Sequence, residues 1–324
     1  MSKLVDQVRS LLDEAATVVV LSHIRPDGDA IGSMLALSLS LEARGKNVVP
    51  LLVDGVPERF RFLPGAERVV QAIPSELDIL ITVDCADIRR TGLPADYSRQ
   101  PDINIDHHPT NTHFAMVNVV DPSASATSEM LYDLLAELSL PITVDVATNM
   151  ITGLVTDTIG FRTDSVTPKV LRVAADLMDH GAKLHEVYFR GLEERSLVEA
   201  RYWERGLSRL QLDDGVLWTS LTLEDRQSVG YAGKDDADLI NLLSTIAGAK
   251  VALVFVEQPG GEIKVSWRSR DGVDVSTLAG QFGGGGHKPA AGAEIRGDLE
   301  QVQNRVLSET HDLIKQSALA MEKR

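Results

Sequence analysis

Over its first half the chain alternates short, β-branched apolar runs with stretches of helical periodicity, and few folds accommodate that pattern. TVVVLS (17–22) opens the series, followed by a periodic stretch from Ala30 to Arg44 that Gly45 stops. NVVPLLVD (47–54), DILITVD (78–84), INID (103–106) and MVNVV (116–120) are further strand candidates. Helical patterns run over 127–139, 144–156 and 168–180, the last ending before Gly181. Apolar strands separated by helices predict an α/β fold with a parallel sheet covered on both faces.

The second half reads differently. From Lys183 to Leu210 the pattern is polar and helical with no strand signal. Strand candidates follow at 215–222, 250–258 and 262–269, and Pro259-Gly260-Gly261 predicts a hairpin between the last two. Amphipathic helices are expected at 239–246 and 298–319. With 324 residues at about 150 per domain, two domains are expected. They are placed at 1–185 and 211–324, the second smaller and α+β, joined by a helical linker at 186–210 that forms the hinge of a cleft.

Composition narrows the chemistry. Cys85 is the sole cysteine, which excludes an intramolecular disulfide and a thiolate-rich metal cluster. No apolar run approaches the roughly 18 residues of a membrane span, so a soluble, cytoplasmic protein is expected, with no membrane partner. Forty-seven acidic against 32 basic side chains give a net charge of −15, which argues against long duplex DNA.

Acidic and imidazole side chains gather where strands end and helices begin, the ligand position of open α/β sheets. His23, Asp27 and Asp29 follow the first strand, with Pro26 and Gly28 suited to a tight turn. A helix N-terminus alone would satisfy either carboxylate, so capping and metal binding both stand. Asp84 closes DILITVD, as a ligand or as a turn residue, and Asp87 reads as a loop residue or as a support behind the ligands. Asp106, His107 and His108 close INID, and strand alternation would point the two imidazoles to opposite sides. Asp157 interrupts the apolar ITGLVTDTIGF, where a buried carboxylate needs a partner. Two imidazoles and four carboxylates without sulfur suit hard divalent ions such as Mn²⁺ or Mg²⁺. Six ligands fit two ions better than one, a pair that clamps a phosphoryl group. In the second half, Gly283-Gly284-Gly285-Gly286-His287-Lys288 reads as an anion cradle or as a flexible loop, with Arg268 and Arg270 nearby as phosphate donors.

In order, HIRPDGDAIGS, VDCAD, IDHH and LVTDTIGF resemble the four motifs of the DHH phosphoesterase superfamily. VSWRSRDGVDVSTLAGQFGGGGHKPAAGA is similar to its DHH-associated C-terminal domain. The two-domain layout resembles the stand-alone nano-RNase and phosphoadenosine-phosphate phosphatase branch (NrnA-like). The resemblance implies one Mn²⁺ held by His23, Asp27 and Asp84, and a second by Asp29, Asp84, His107 and Asp157, with Mg²⁺ or Co²⁺ as substitutes. It implies that Asp106 orients a histidine and that His108 faces the substrate. Arg268, Gly284, Gly285, Gly286, His287 and Lys288 would bind phosphate and ribose. The implied reaction is hydrolysis of short single-stranded RNA or DNA to mononucleotides, and of small nucleotides such as 3′-phosphoadenosine 5′-phosphate. Turnover of linear or cyclic dinucleotides is the alternative, and an inactive nucleotide-binding regulator a remote one. A homodimer is compatible with the sequence. Trp267 either stacks on a base or packs inward.

Overall fold

The computed structural model describes residues 2–270 and 272–321, without the side chains of residue 2 and of 318–321. Two compact units follow one another along the chain, Met1–Glu194 and Arg195–Arg324.

The first unit is built on five parallel strands: β1 (Thr17–Leu21), β2 (Asn47–Leu51), β3 (Ile79–Val83), β4 (Ile103–Asp106) and β5 (Val117–Val120), in the order β2-β1-β3-β4-β5. β3 and β4 are buried at every residue, which is why they read as continuous apolar runs. Around them lie α1 (Ser2–Glu14), α2 (Gly28–Glu42), α3 (Thr127–Glu137), α4 (Val144–Asp157), α5 (Pro168–Asp179) and α6 (Leu184–Tyr188). α2 begins two residues before the sequence pattern suggested, because Asp27 caps it. It is buried on nearly every side and packs closely on α4. Gly153 of α4 makes room for this packing. A Cβ there would stand 2.0 Å from Ser128 Oγ and 2.4 Å from Asp29 Oδ1.

The second unit opens with α7 (Leu197–Leu207), β6 (Gln211–Asp213), β7 (Val216–Leu221), α8 (Leu223–Val229), α9 (Leu239–Leu243), β8 (Val251–Gln258) and β9 (Glu262–Ser269). It closes with α10 (Val275–Gln281), β10 (Gly285–His287), β11 (Ala290–Arg296) and α11 (Leu299–Met321). Its sheet runs β10-β11-β9-β8-β7-β6, parallel between β7 and β8 and antiparallel elsewhere. Alternation along β8 feeds two cores. Val251, Leu253 and Phe255 pack with residues of α10 and α11, whereas Ala252, Val254 and Val256 pack with Tyr202, Leu239 and Leu243. Trp267 is fully buried in the first of these cores beside Phe282, so it packs inward and offers no surface to a base. Among the described residues no helix is long and apolar enough to cross a membrane.

Candidate metal centre

The loop after β1 supplies His23 and Asp27. Asp27 Oδ1 accepts the backbone N–H groups of Asp29 (3.2 Å) and Ala30 (3.0 Å), while its Oδ2 lies 3.9 Å from His23 Nε2. One carboxylate therefore caps α2 and faces an imidazole. His23 is buried, and its Nδ1 donates to the Ile24 carbonyl at 2.8 Å, which turns Nε2 toward Asp84 Oδ2 at 3.6 Å.

Asp84 directly follows β3 with φ of +52°, in the left-handed region where Asp is tolerated better than most residues. Its Oδ1 accepts the Thr127 hydroxyl at 2.9 Å and lies 3.6 Å from His107 Nε2. Asp29, in the first turn of α2, sits at the N-terminus of α3. It accepts the backbone N–H groups of Thr127 (2.6 Å) and Ser128 (3.1 Å) and the hydroxyls of Ser128 (2.6 Å) and Ser33 (3.1 Å).

His107 and His108 do not point to opposite sides. β4 ends at Asp106, so strand alternation stops before them. The two rings stand 4.7 Å apart and both approach Asp84 Oδ1 at 3.6 Å. His107 Nδ1 faces the Ala124 carbonyl at 3.3 Å, and Nε2 lies 3.5 Å from Asp157 Oδ2. His108 Nδ1 instead donates to Asp106 Oδ1 at 2.7 Å. Asp106 is fully buried, and Asn111 Nδ2 donates to its other oxygen at 2.6 Å. Asp157 is the last residue of α4, outside the apolar core and with its side chain 30% exposed. Asp87 caps a short 3₁₀ turn and pairs with Arg89, away from the cluster.

Ligand atoms within 4.8 Å of one another form three sets: His23, Asp27 and Asp84; Asp29, His107 and Asp157; and Asp84, His107 and His108. The electrostatics describe a cluster short of positive charge. Burial, reinforced by Asp84, pushes Asp29 up to about 6. Burial and repulsion from Asp29, Asp27 and Asp84 hold Asp157 well above the usual carboxylate range. The negative end of the α4 dipole adds to this. Burial also opposes ionisation of Asp84, but the His23 hydrogen bond and the facing imidazoles bring it down. For His23, His107 and His108, burial favours the neutral ring, and Asp84 or Asp106 outweighs it and raises all three. An oxygen and nitrogen donor set of this kind fits hard divalent cations.

In the second unit, Arg268 Nε donates to Asn241 Oδ1 (3.2 Å) and Nη1 to the Trp267 carbonyl (3.1 Å). Burial lowers its pKa, against the pull of Asp236 and Asp238. The glycine run is more ordered than a loop. Gly283 and Gly284 close α10 through N–H bonds to the Gly280 and Ala279 carbonyls, and Gly285–His287 forms edge strand β10. Residues 285–288 are exposed.

Sequence reasoning missed Asn111, Thr127, Ser128 and Asn241. Their only signal is a polar side chain near a motif or a helix start.

The family model of the DHH family, N-terminal domain, matches residues 17–154, and that of the DHHA1 domain matches residues 226–316. The bifunctional oligoribonuclease and PAP phosphatase NrnA of Thermus thermophilus is 39% identical over 90% of this chain and 88% of its own length. The Bacillus subtilis protein of the same name is 29% identical over 93% of this chain and 95% of its own. An exopolyphosphatase-related protein from Bacteroides fragilis has the same fold, with a TM-score of 0.89, 26% identity and coverage of 97% and 98%. The chain belongs to the DHH family of phosphoesterases, with a DHHA1 domain in its second half.

Proposed function

We propose that this chain is a Mn²⁺-dependent hydrolase that releases mononucleotides from very short RNA and removes a phosphate from 3′-phosphoadenosine 5′-phosphate. The observation that carries this is Asp84, whose two oxygens face different imidazoles at 3.6 Å. One ion would be held by His23, Asp27 and Asp84, and the other by Asp29, Asp84, His107 and Asp157, with Mg²⁺ or Co²⁺ as substitutes. Bound there, divalent ions supply positive charge to phosphoryl oxygens and acidify water.

The chain's own residues do the rest. His108, with Nδ1 committed to Asp106, meets substrate phosphate through Nε2 and exchanges a proton there. Arg268 Nη2 forms no hydrogen bond among the described residues, and Arg268 is assigned to substrate phosphate together with Gly284, Gly285, Gly286, His287 and Lys288. The names of the Thermus and Bacillus relatives support the substrate class. The acidic exterior, at −15, favours small anions over long duplexes.

The test is incubation of pure protein with Mn²⁺ and RNA of two to five nucleotides, beside linear and cyclic dinucleotides and the bisphosphate. Mononucleotide release from short RNA is expected. Faster turnover of the cyclic form would move the assignment to second-messenger hydrolysis, and binding without turnover under any divalent ion would point to a regulator.

A further inference from the structure

Four strands of the second unit begin or end along one side of its sheet, and cations accompany three of them. Lys288 precedes β11, Arg270 follows β9, Lys250 precedes β8 and Gly215 precedes β7. Backbone hydrogen bonds tie these ends into a line. Ser269 N–H donates to the Pro289 carbonyl (2.9 Å), Arg270 N–H to the Lys250 carbonyl (2.9 Å) and Lys250 N–H to the Gly215 carbonyl (2.7 Å). At about 4.8 Å per strand the line covers roughly 14 Å.

At its far end lies a cavity of about 410 Å³, lined by Lys250, Lys315 and His311 with Gly215, Gly248 and Asp214. Both lysines are exposed, and among the described residues neither side chain has a hydrogen-bond or ion-pair partner. His311 Nε2 faces the carbonyl and carboxylate of Asp213 at 3.3 and 3.4 Å, so that acid is engaged and Asp214 is the carboxylate left in the lining. A Cβ on Gly215 would press on the Lys250 stem at 3.3 Å.

Two lysines without partners around a nucleotide-sized cavity, on a protein of charge −15, are a place for an anion. The row through Arg270 leads from it to Lys288, while the Arg268 side chain lies on the α9 face of the sheet. We propose that this cavity binds a phosphate of a short oligonucleotide, further along the chain than the phosphate assigned to Lys288. The proposal rests on the oligonucleotide reading for the identity of the chain that carries the phosphate. The same phosphate chemistry could come from a free nucleotide or inorganic phosphate.

The experiment compares the wild type with the double variant Lys250→Ala/Lys315→Ala, its folding checked by circular dichroism. Anisotropy of a 5′-fluorescein RNA tetranucleotide in EDTA should show roughly tenfold weaker binding. The slope of log affinity against log salt should fall by about 0.7, the value for one lost phosphate contact. Turnover of the bisphosphate nucleotide should stay within about twofold. Lost binding of AMP or inorganic phosphate by calorimetry, with tetranucleotide affinity intact, supports the anion site and assigns it to a free ligand. Unchanged tetranucleotide affinity, salt slope and phosphate binding would overturn the proposal. Should the wild type release no mononucleotides, the functional reading fails, while anisotropy and calorimetry still decide the cavity.

Discussion

Asp84 Oδ2 stands 3.6 Å from His23 Nε2, at the C-terminal ends of the neighbouring strands β3 and β1. Its Oδ1 faces His107 at the same distance, so one carboxylate serves both halves of the cluster. Asp84→Asn removes that charge and keeps the shape, and Asn tolerates the φ of +52°. Mononucleotide release should drop about 10³-fold with the fold retained. Thermal melts add a second readout. Mn²⁺ at a hundred times its Kd should stabilise the wild type by about 2.7 kcal/mol for each ion bound, EDTA should abolish that, and the variant should show much less of it. Wild-type turnover by Asp84→Asn would remove Asp84 from the mechanism.

Asn111 locks the carboxylate that locks His108. Its Nδ2 donates to Asp106 Oδ2 (2.6 Å) and Asn104 Oδ1 (2.8 Å), and its Oδ1 accepts the His113 N–H (2.7 Å). Asn111→Ala frees Asp106 to rotate and His108 to change orientation. The expected result is a fall of roughly 10–100-fold in kcat, typical for residues that orient a metal-site side chain. Substrate KM should change little. An effect confined to KM would contradict this positioning role.

The glycines of the 283–286 run separate into two kinds. A Cβ at Gly284 would lie 2.1 Å from the Gly292 carbonyl oxygen, and one at Gly286 2.4 Å from the Ala290 carbonyl oxygen, whereas Gly285 has open space. Gly284→Ala should push β10 off β11, cost about 1–3 kcal/mol and speed amide exchange in β10. Gly285→Ala should melt like the wild type. If its KM for the bisphosphate nevertheless rises several-fold, the backbone at Gly285 touches substrate, and an unchanged KM assigns the run to strand packing.

What the sequence made visible follows from burial. β3 and β4 are covered on both faces, so they read as unbroken apolar runs, and the acids that end them stand out. The contacts of Asp29 with Thr127 and Ser128 span 98 and 99 residues. Nothing local to either segment announces them until α2 and α3 meet. β6 and β10 lie on sheet edges and are exposed throughout, so no apolar alternation marked them. The shared orientation of the histidine pair has a related reason, because a period-two argument holds only while the strand lasts, and β4 ends at Asp106.

Asp236 gives the second unit its own pH dependence. It is 6% exposed, and burial, with Asp238 adding repulsion, pushes its carboxyl up to about 6 although Lys264 and Arg268 pull the other way. Its unfolded value is near 3.8, so between pH 4 and 6 the folded chain binds more protons than the unfolded one. Stability from this group is therefore greatest below pH 4, declines as pH rises to 6, and stays low above that. About two units correspond to roughly 3 kcal/mol at most. Asp236→Asn keeps an acceptor for the Ile240 N–H and removes the ionisation. Urea melts should find the variant more stable than the wild type at pH 8 by up to that amount, and nearly equal to it at pH 3. A difference independent of pH would mean that Asp236 does not titrate in this range.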